Sequence, residues 1–186
     1  MRIVAGEYRS RVIKSVEGDS TRPTLDKIKE AVFSRIGPYF DGGEMLDLFS
    51  GSGNVALEAL SRGFHHATLC DKQGKAVKTI QINIATLKVE KQCSVWKMEY
   101  QRALDKAVLE QKQFDLIYLD PPYKEQQIAT ILQYIDEHDL AQDDADIVAE
   151  TLKEDCFEDC YGSLEKVKDV TYGITRITYF KKKVKK

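Results

Sequence analysis

Residues 44–54 read EMLDLFSGSGN, and their pattern indicates the class of fold. Its strand portion is mostly apolar, which is typical of a strand buried in a parallel sheet, and the acid at Asp47 interrupts it. Gly51 and Gly53 follow, and glycine allows a tight turn in which the backbone lies close to a ligand. Apolar positions then continue at helical spacing as far as Gly63, the expected C-terminal cap. The stretch therefore predicts a strand, a glycine turn and a helix, the repeating unit of open α/β sheets.

The rest of the chain continues this alternation. Helical patterns alternate with short apolar runs at residues 67–70, 94–96, 114–119 and 146–151. Two β-branched runs around Gly173 predict antiparallel strands at the end of the chain. We expect an α/β fold with a Rossmann-like, doubly wound, mostly parallel sheet and a small N-terminal β-hairpin extension. The expected domains are the basic hairpin over residues 1–20 and an α/β domain over residues 21–186.

The composition indicates a globular protein without a membrane span. Of the 186 residues, 42% are hydrophobic and 31% are charged. No apolar run approaches the ~20 residues that a spanning helix needs, and the start of the chain lacks the apolar region of a secretory signal. The four cysteines form no C-x-x-C pair, and Cys156 and Cys160 are the one pair of cysteines close together in sequence. We therefore expect a cytoplasmic protein with reduced thiols and no metal site.

The formal net charge of −2 conceals an uneven distribution of charge. Residues 136–160 carry eleven acids and a single lysine, whereas both ends of the chain are basic. The last six residues read KKKVKK, and they are open to two interpretations, a solvated terminus or a contact with an anion. The basic residues near the start, which are candidates for binding nucleic-acid phosphates, are Arg2, Arg9, Arg11, Lys14 and Arg22.

Ligands of such sheets bind beyond the carboxyl ends of the strands, where this chain places several polar residues. Asp47 precedes the glycine turn, where it would repel a dinucleotide pyrophosphate and favour a cationic ligand. Asp71 ends the next predicted strand, at the place where an acid usually accepts the hydroxyl groups of a ribose. Met98 and Glu99 follow the third strand and could border an adenine. Together they predict a nucleoside site that also suits a positive charge.

A second candidate site lies in residues 114–123, FDLIYLDPPY. An apolar strand leads directly into Asp120, Pro121, Pro122 and Tyr123. The two prolines fix their φ angles and have no N–H group, so their carbonyl groups remain as acceptors. The Asp120 carboxylate adds another acceptor, and the tyrosine ring could stack on a planar base. These acceptors suit an exocyclic amine, whose N–H groups they can hold while its lone pair faces an electrophile.

These motifs resemble a known family. The DPPY tetrapeptide, the FSGSG turn and the acid at Asp71 look like the S-adenosylmethionine-dependent amino methyltransferases. Three further stretches narrow the resemblance to the bacterial methyltransferases that modify guanine N2 in 16S ribosomal RNA: RIVAGEYRSR at 2–11, TRPT at 21–24 and LDLFSGSG at 46–53. The likeness runs nearly end to end and includes Glu150 and the Tyr-Gly pair at 172–173.

The resemblance implies a class I methyltransferase fold and a set of roles for these residues. The DPPY residues Asp120, Pro121, Pro122 and Tyr123 would bind and orient the target amine. No metal is implied, and the product would be S-adenosylhomocysteine. The cofactor residues would be Asp47, Phe49, Ser50, Gly51, Gly53, Asp71, Met98 and Glu99.

The implied partner is 16S rRNA or the small ribosomal subunit, with neither a membrane nor an obligate protein partner. Two positions depart from the family pattern, because Ser10 stands where glycine is frequent and Asp71 where glutamate is frequent.

Two other functions stay open at this point. A DNA adenine-N6 methyltransferase shares the DPPY motif, although 186 residues leave little room for reading duplex DNA. A non-enzymatic RNA-binding module would use the basic start without any chemistry at Asp120. A nicotinamide oxidoreductase is disfavoured by Asp47 before the glycines and by DPPY.

Overall fold

The expected alternation of strands and helices is present in the computed structural model, which describes residues 1–18 and 23–185. At positions 23, 24 and 125 the description covers the backbone alone. The chain divides into two units, Met1–Ala103 and Leu104–Lys186.

Three parallel strands form the sheet of the first unit. They are β1 (Glu44–Asp47), β2 (His66–Asp71) and β3 (Cys93–Lys97), in the order β3-β2-β1. The helices between and before them are α1 (Pro23–Ile36), α2 (Asn54–Ser61) and α3 (Gly74–Leu87). Helix α4 (Tyr100–Leu109) begins at the end of this unit and continues into the second.

The second unit contains one parallel and three antiparallel strand pairings. Its strand order is β4-β5-β8-β7-β6, in which β4 and β5 run parallel and the remaining neighbours are antiparallel. Helix α5 (Ile128–Glu137) joins the parallel pair. The strands are β4 (Phe114–Leu119), β5 (Ala141–Leu152), β6 (Cys160–Tyr161), β7 (Leu164–Tyr172) and β8 (Thr175–Lys182).

Most predicted elements are confirmed, and one strand is longer than predicted. Strand β4 covers the expected residues 114–119, and α2 ends just before Gly63, whose φ of 121° lies in the region that favours glycine. Strand β5 begins at Ala141 rather than at Asp146. The polar residues 142–144 lack the apolar pattern that predicts a buried strand. In the structure, the pairing of β4 with β5 is irregular at this start.

The N-terminal segment, residues 1–18, folds back on itself through a single antiparallel bridge between Arg2 and Val12. Ile3 donates its N–H to the Arg11 carbonyl oxygen at 2.9 Å, which fixes the pairing. Ser10 has a φ of 70°, a left-handed conformation that glycine adopts more readily, so the structure explains why glycine would suit this position. The predicted boundary at residues 20 and 21 and the candidate Arg22 lie outside the described residues.

A buried ion cluster joins α1 and α2. The side chain of Glu58 is fully buried, and its carboxylate lies 2.9 Å from Lys29 Nζ and 2.8 Å from Arg62 Nε. Burial lowers the pKa of Lys29, although the nearby negative charge of Glu58 opposes this effect. Burial alone would raise the pKa of Glu58, but the charge of Lys29 and the hydrogen bonds to the carboxylate outweigh it and hold that pKa below its ordinary value.

The same cluster fastens the N-terminal segment to the first unit. Glu58 accepts the backbone N–H groups of Val4 at 2.8 Å and Ala5 at 3.1 Å. Lys29 donates to the Arg2 carbonyl oxygen at 2.8 Å and to Asn54 Oδ1 at 2.7 Å, at the first residue of α2. Residues far apart in sequence thus complete each other's hydrogen bonds.

We expect Lys29→Met to lower the free energy of unfolding by about 3 kcal/mol or more, because it leaves a buried carboxylate short of a positive partner. Urea denaturation followed by circular dichroism measures this loss. Lys106→Met is the matched control, since it breaks an exposed ion pair with Glu110 and should change stability by less than about 1 kcal/mol. Equal, small losses in both variants would contradict the assigned role of the cluster.

Candidate functional site

The glycine turn connects β1 to α2 and has one open position and one packed position. Ser50 donates its N–H to the Cys70 carbonyl oxygen at 2.8 Å, and Gly53 donates to the Ser50 carbonyl oxygen at 2.8 Å. Gly51 has a φ of 57°, and a Cβ placed there would meet no atom within 4 Å. At Gly53 a Cβ would lie 3.1 Å from the Leu69 side chain. The first glycine therefore leaves space for a ligand, and the second lets the turn pack against the core.

Asp71 closes this turn from the end of the neighbouring strand. Its Oδ2 accepts the N–H of Gly51 and its Oδ1 accepts the N–H of Gln73, each at 2.9 Å. A carboxylate has about four acceptor positions, so two backbone donors leave capacity for the hydroxyl groups of a ligand. The acid that the sequence assigned to a ribose thus lies directly beside the open glycine.

Asp47 is a buried acid beneath the same turn. Burial raises its pKa to about 7, and the negative charge of Asp71 adds to the shift. A hydrogen bond with Ser50 opposes part of this rise, and the Asp47 Oδ1 and Ser50 Oγ atoms are both buried.

The remaining predicted cofactor residues border the same turn in part. The N–H of Met98 bonds to the Asp71 carbonyl oxygen at 3.2 Å, so Met98 lies next to the ribose candidate. The ring centre of Phe49 lies 5.4 Å from that of Tyr100. Glu99 is exposed, and its carbonyl oxygen accepts the N–H of Ala103 in the first turn of α4. The structure brings Phe49 and Met98 to the turn, while it shows only a helix-capping contact for Glu99.

Sequence reasoning missed Asn83, which supports the turn from α3. Its side-chain amide donates to the carbonyl oxygens of Ser52 and Lys14, each at 2.9 Å, and its Oδ1 accepts the N–H of Lys14 at 2.7 Å. The signal in the sequence was an asparagine within the apolar positions of a helix. Because a buried amide needs partners, this position indicated a tertiary contact, but nothing in the sequence identified the contact.

In the second unit, the DPPY residues follow directly after β4. The paired register of β4 and β5 ends at Leu119 and Ala149, as expected where the next residues include two prolines without N–H groups. Asp120 is half-buried, Pro121 is buried and Pro122 is exposed. Tyr123 begins a short 3-10 turn with 43% of its surface exposed. The exposed ring is available for stacking on a planar group.

A second buried acid, Glu150, lies on β5 beside the DPPY strand. The Tyr118 hydroxyl donates to Glu150 Oε2 at 2.8 Å, and burial raises the pKa of this glutamate. This side-chain bond joins β4 to β5 close to the point where their backbone pairing ends. The sequence resemblance included Glu150 without giving it a role, and its hydroxyl partner was not predicted.

The basic residues divide into two groups. Arg2, Arg9, Arg11 and Lys14 are exposed on the N-terminal segment of the first unit, whereas Arg22 lies outside the described residues. In the second unit, the C-terminal basic run pairs with the acidic stretch, through contacts of Lys181, Lys182 and Lys185 with Asp139, Asp144 and Asp146. These ion pairs compensate part of the positive charge of the C-terminal run and part of the negative charge of the acidic stretch. Both partners lie within the second unit.

A metal-binding cluster and a membrane-spanning helix are both absent from the part of the chain that the structure describes. Residues 1–18 and 23–185 contain no group of three or more His, Cys, Asp or Glu side chains placed to hold a metal ion. Within the same ranges, every helix is too short or too polar to cross a membrane.

Comparisons with known proteins agree with this fold. A family model described as conserved hypothetical protein 95 matches residues 1–181. The chain is 44% identical over 183 residues to the Bacillus subtilis protein named "Putative rRNA methyltransferase YlbH", covering 98% of this chain and 100% of the relative. It is 33% identical over 158 residues to "Ribosomal RNA small subunit methyltransferase D" of Haemophilus influenzae, covering 83% of this chain and 80% of the relative.

A solved structure shows the same fold. It is named "Putative methyltransferase yhhF from Escherichia coli", and it aligns with a TM-score of 0.83 at 23% identity, covering 100% of this chain and 99% of the other. The expected Rossmann-like α/β methyltransferase fold is therefore confirmed.

We expect the buried acid of the glycine turn to make stability depend on pH. An aspartate titrates near ~3.9 in an unfolded chain, whereas the pKa of Asp47 in the folded protein is about 7. The folded state binds this proton more tightly, so the free energy of unfolding should fall as pH rises from ~4 to ~7.

Asp47→Asn should remove that decline, and at the upper end of this range it should be more stable than the unmodified protein by on the order of 4 kcal/mol. Denaturant unfolding at a series of pH values measures the difference. Asp143→Asn, which changes an exposed acid, is the control. A difference between Asp47→Asn and the unmodified protein that does not vary with pH would contradict the assignment.

Proposed function

The chain belongs to the family described as conserved hypothetical protein 95, and from this premise we propose that it methylates ribosomal RNA with S-adenosylmethionine. The finer proposal is transfer to the exocyclic N2 amine of a guanine in 16S rRNA, within the small ribosomal subunit. The main support for this proposal is the turn at Gly51, which has space for a ligand and donates its N–H to the Asp71 carboxylate. Relatives named as ribosomal RNA methyltransferases support the choice of substrate.

The glycine turn fits the chemistry of this cofactor. Asp71 keeps acceptor capacity for ribose hydroxyls, and Gly51 lets the backbone approach the ligand. Asp47 and Ser50 are buried beneath the same turn, and the carboxylate of Asp47, when ionised, suits a ligand with positively charged groups. S-adenosylmethionine, when bound, supplies an electrophilic methyl group on a sulfonium. Phe49, Gly53, Met98 and Glu99 complete the proposed cofactor residues.

The DPPY residues of the second unit are the proposed binding groups for the target base. The Asp120 carboxylate and the Pro121 carbonyl would accept the two N–H groups of the amine, which directs its lone pair towards the methyl group. The exposed Tyr123 ring would stack on the base, and Pro122 would keep the turn rigid. A guanine stacked in a helix must first leave its stack, as other base-modifying enzymes require. Methyl transfer needs the reacting atoms ~3–3.5 Å apart, so orientation by Asp120 supplies much of the rate.

The basic N-terminal segment is the proposed contact with the RNA backbone. Its four described basic side chains are exposed, and Arg22 is proposed for the same role from the sequence alone. Arginine and lysine contacts with phosphates supply affinity and salt dependence without reading sequence. We therefore propose that selection of the target guanine depends on the shape of the RNA or of the assembled subunit.

The test of this function is transfer of labelled methyl to three substrates, followed by nucleoside analysis of the product. The substrates are unmodified small subunits, naked 16S rRNA and duplex DNA. We expect N2-methylguanosine in the ribosomal substrates. N6-methyladenine in DNA would replace the proposed substrate, and cofactor binding without transfer to any of the three would refute it.

Variants of the two sites should separate binding from transfer. We expect Asp120→Ala to lower the transfer rate by at least a hundredfold while cofactor affinity stays within a few-fold, because a misplaced amine loses orientation. Asp71→Ala should instead weaken cofactor binding, since it removes the ribose acceptor and the hydrogen bond to Gly51.

Isothermal titration with S-adenosylhomocysteine and single-turnover transfer measure the two effects. Asp105→Ala, an acid of α4 that bonds to Tyr134, is a control for both. Transfer within a few-fold of normal in Asp120→Ala would overturn the proposed mechanism.

A further inference from the structure

We propose that the RNA surface continues from the N-terminal segment onto helix α3, and that Lys75 and Lys78 of this helix bind RNA phosphates together with Arg11 and Lys14. We call these four side chains the basic ridge. The inference rests on the proposed function and extends it, since the RNA contacts assigned from the sequence are Arg2, Arg9, Arg11, Lys14 and Arg22, and none of them belongs to α3.

Three contacts place the N-terminal segment along α3. Arg11 donates through Nη2 to the Thr86 carbonyl oxygen at 2.9 Å, near the end of the helix. Lys14 exchanges hydrogen bonds with the Asn83 side chain one turn earlier. Lys75 donates through Nζ to the Glu17 carbonyl oxygen at 3.4 Å, in the first turn. The segment therefore runs antiparallel to the helix over most of its length.

This register places Arg11 and Lys14 of the segment beside a helix that carries two further exposed lysines. Lys75 and Lys78 are both exposed and lie three residues apart, on adjacent turns of the same face of α3. Arg11 and Lys14 are exposed on the segment that lies beside that face. The bond from Arg11 to Thr86 fixes the guanidinium but uses only one of its five N–H donors, so it retains donors for a phosphate.

The length of the basic ridge suits a nucleic-acid strand. Lys75 and Thr86 are eleven residues apart, which corresponds to ~16 Å along a helix at ~1.5 Å per residue. One strand of a duplex presents a phosphate about every 3.4 Å of its axis, so the ridge can face roughly four or five phosphates. A row of cations held by backbone contacts fits such a strand better than it fits a small anion.

The charges along the ridge favour an anionic partner. Glu17 is the acidic residue that contacts the basic ridge in the hydrogen bonds described above. Lys75 binds its backbone carbonyl oxygen rather than its carboxylate. The C-terminal basic run differs, because Lys181, Lys182 and Lys185 are paired with aspartates of their own unit. The ridge is thus the better candidate for a nucleic-acid contact.

The test measures binding of an unmodified 16S rRNA transcript at several salt concentrations. The slope of log K against log salt is negative, and we expect the double variant Lys75→Gln, Lys78→Gln to reduce its magnitude by about 1.4–1.8, at ~0.7–0.9 per lost phosphate contact. At ~0.1 M salt the same loss weakens binding between about tenfold and a hundredfold. Affinity for S-adenosylhomocysteine should not change, because neither lysine belongs to the proposed cofactor site.

The control is Lys168→Gln, Lys183→Gln, which removes two exposed lysines of the second unit and changes the net charge equally. An unchanged salt slope in the ridge variant, or an equal change in the control, would overturn the proposal. Arg9→Ala combined with Arg11→Ala tests the N-terminal segment in the same assay, and a reduced slope in both variants supports one continuous surface.

Methyl transfer by the unmodified protein, measured on the same transcript and on small subunits, keeps this proposal separate from the proposed function. RNA binding that depends on the ridge without methyl transfer to either would support the surface and refute the reaction. Methyl transfer with an unaltered slope in the ridge variant would support the reaction and refute the surface.

Discussion

A carboxylate that is buried away from water needs protein groups that pair with its charge. The packing of the first unit depends on such a carboxylate, the fully buried side chain of Glu58. Its partners come from three parts of the chain: Lys29 on α1, Arg62 at the end of α2, and the backbone of Val4 and Ala5. If any of these elements shifted, the buried carboxylate of Glu58 would lose a partner, and an unpaired charge in an apolar interior is costly. Because Lys29 also bonds to Asn54, the constraint reaches the residue that follows the glycine turn. The arrangement of the proposed cofactor residues therefore depends on an ion cluster whose members are not among those residues.

The two candidate sites achieve rigidity by different physical means. The glycine turn is held by hydrogen bonds, from the backbone of Gly51 to Asp71 and from the side chain of Asn83 to Ser52. The DPPY turn has two residues that cannot donate a backbone hydrogen bond, so β4 and β5 cannot stay paired through it. The bond between Tyr118 and Glu150 joins the two strands near the last paired residues. In each site, side chains of neighbouring residues thus supply order that the backbone pairing of the turn does not.

The surface charges show why a charge count in sequence is a weak guide to partners. The C-terminal lysines and the acidic stretch of residues 136–160 both stand out in the sequence, yet the fold pairs them with each other. The lysines of α3 form no conspicuous run, but the N-terminal segment lies beside them and adds Arg11 and Lys14. A binding surface is made by side chains that are close in space, and only the tertiary structure supplies those distances.

The fold class and most of the proposed site could be predicted from the residue pattern. Apolar periodicity and local turn chemistry act between near neighbours, so β4, the end of α2 and the glycine turn were all predictable. The approximate positions of Asp47, Asp71 and the DPPY residues followed from the ends of those strands. The tertiary structure decided the rest: the early start of β5, the burial that raises the pKa of Asp47, and the partners of Glu58, Asn83 and Glu150. These features depend on burial and on contacts between residues distant in sequence, and neither is set by the local pattern of residue types.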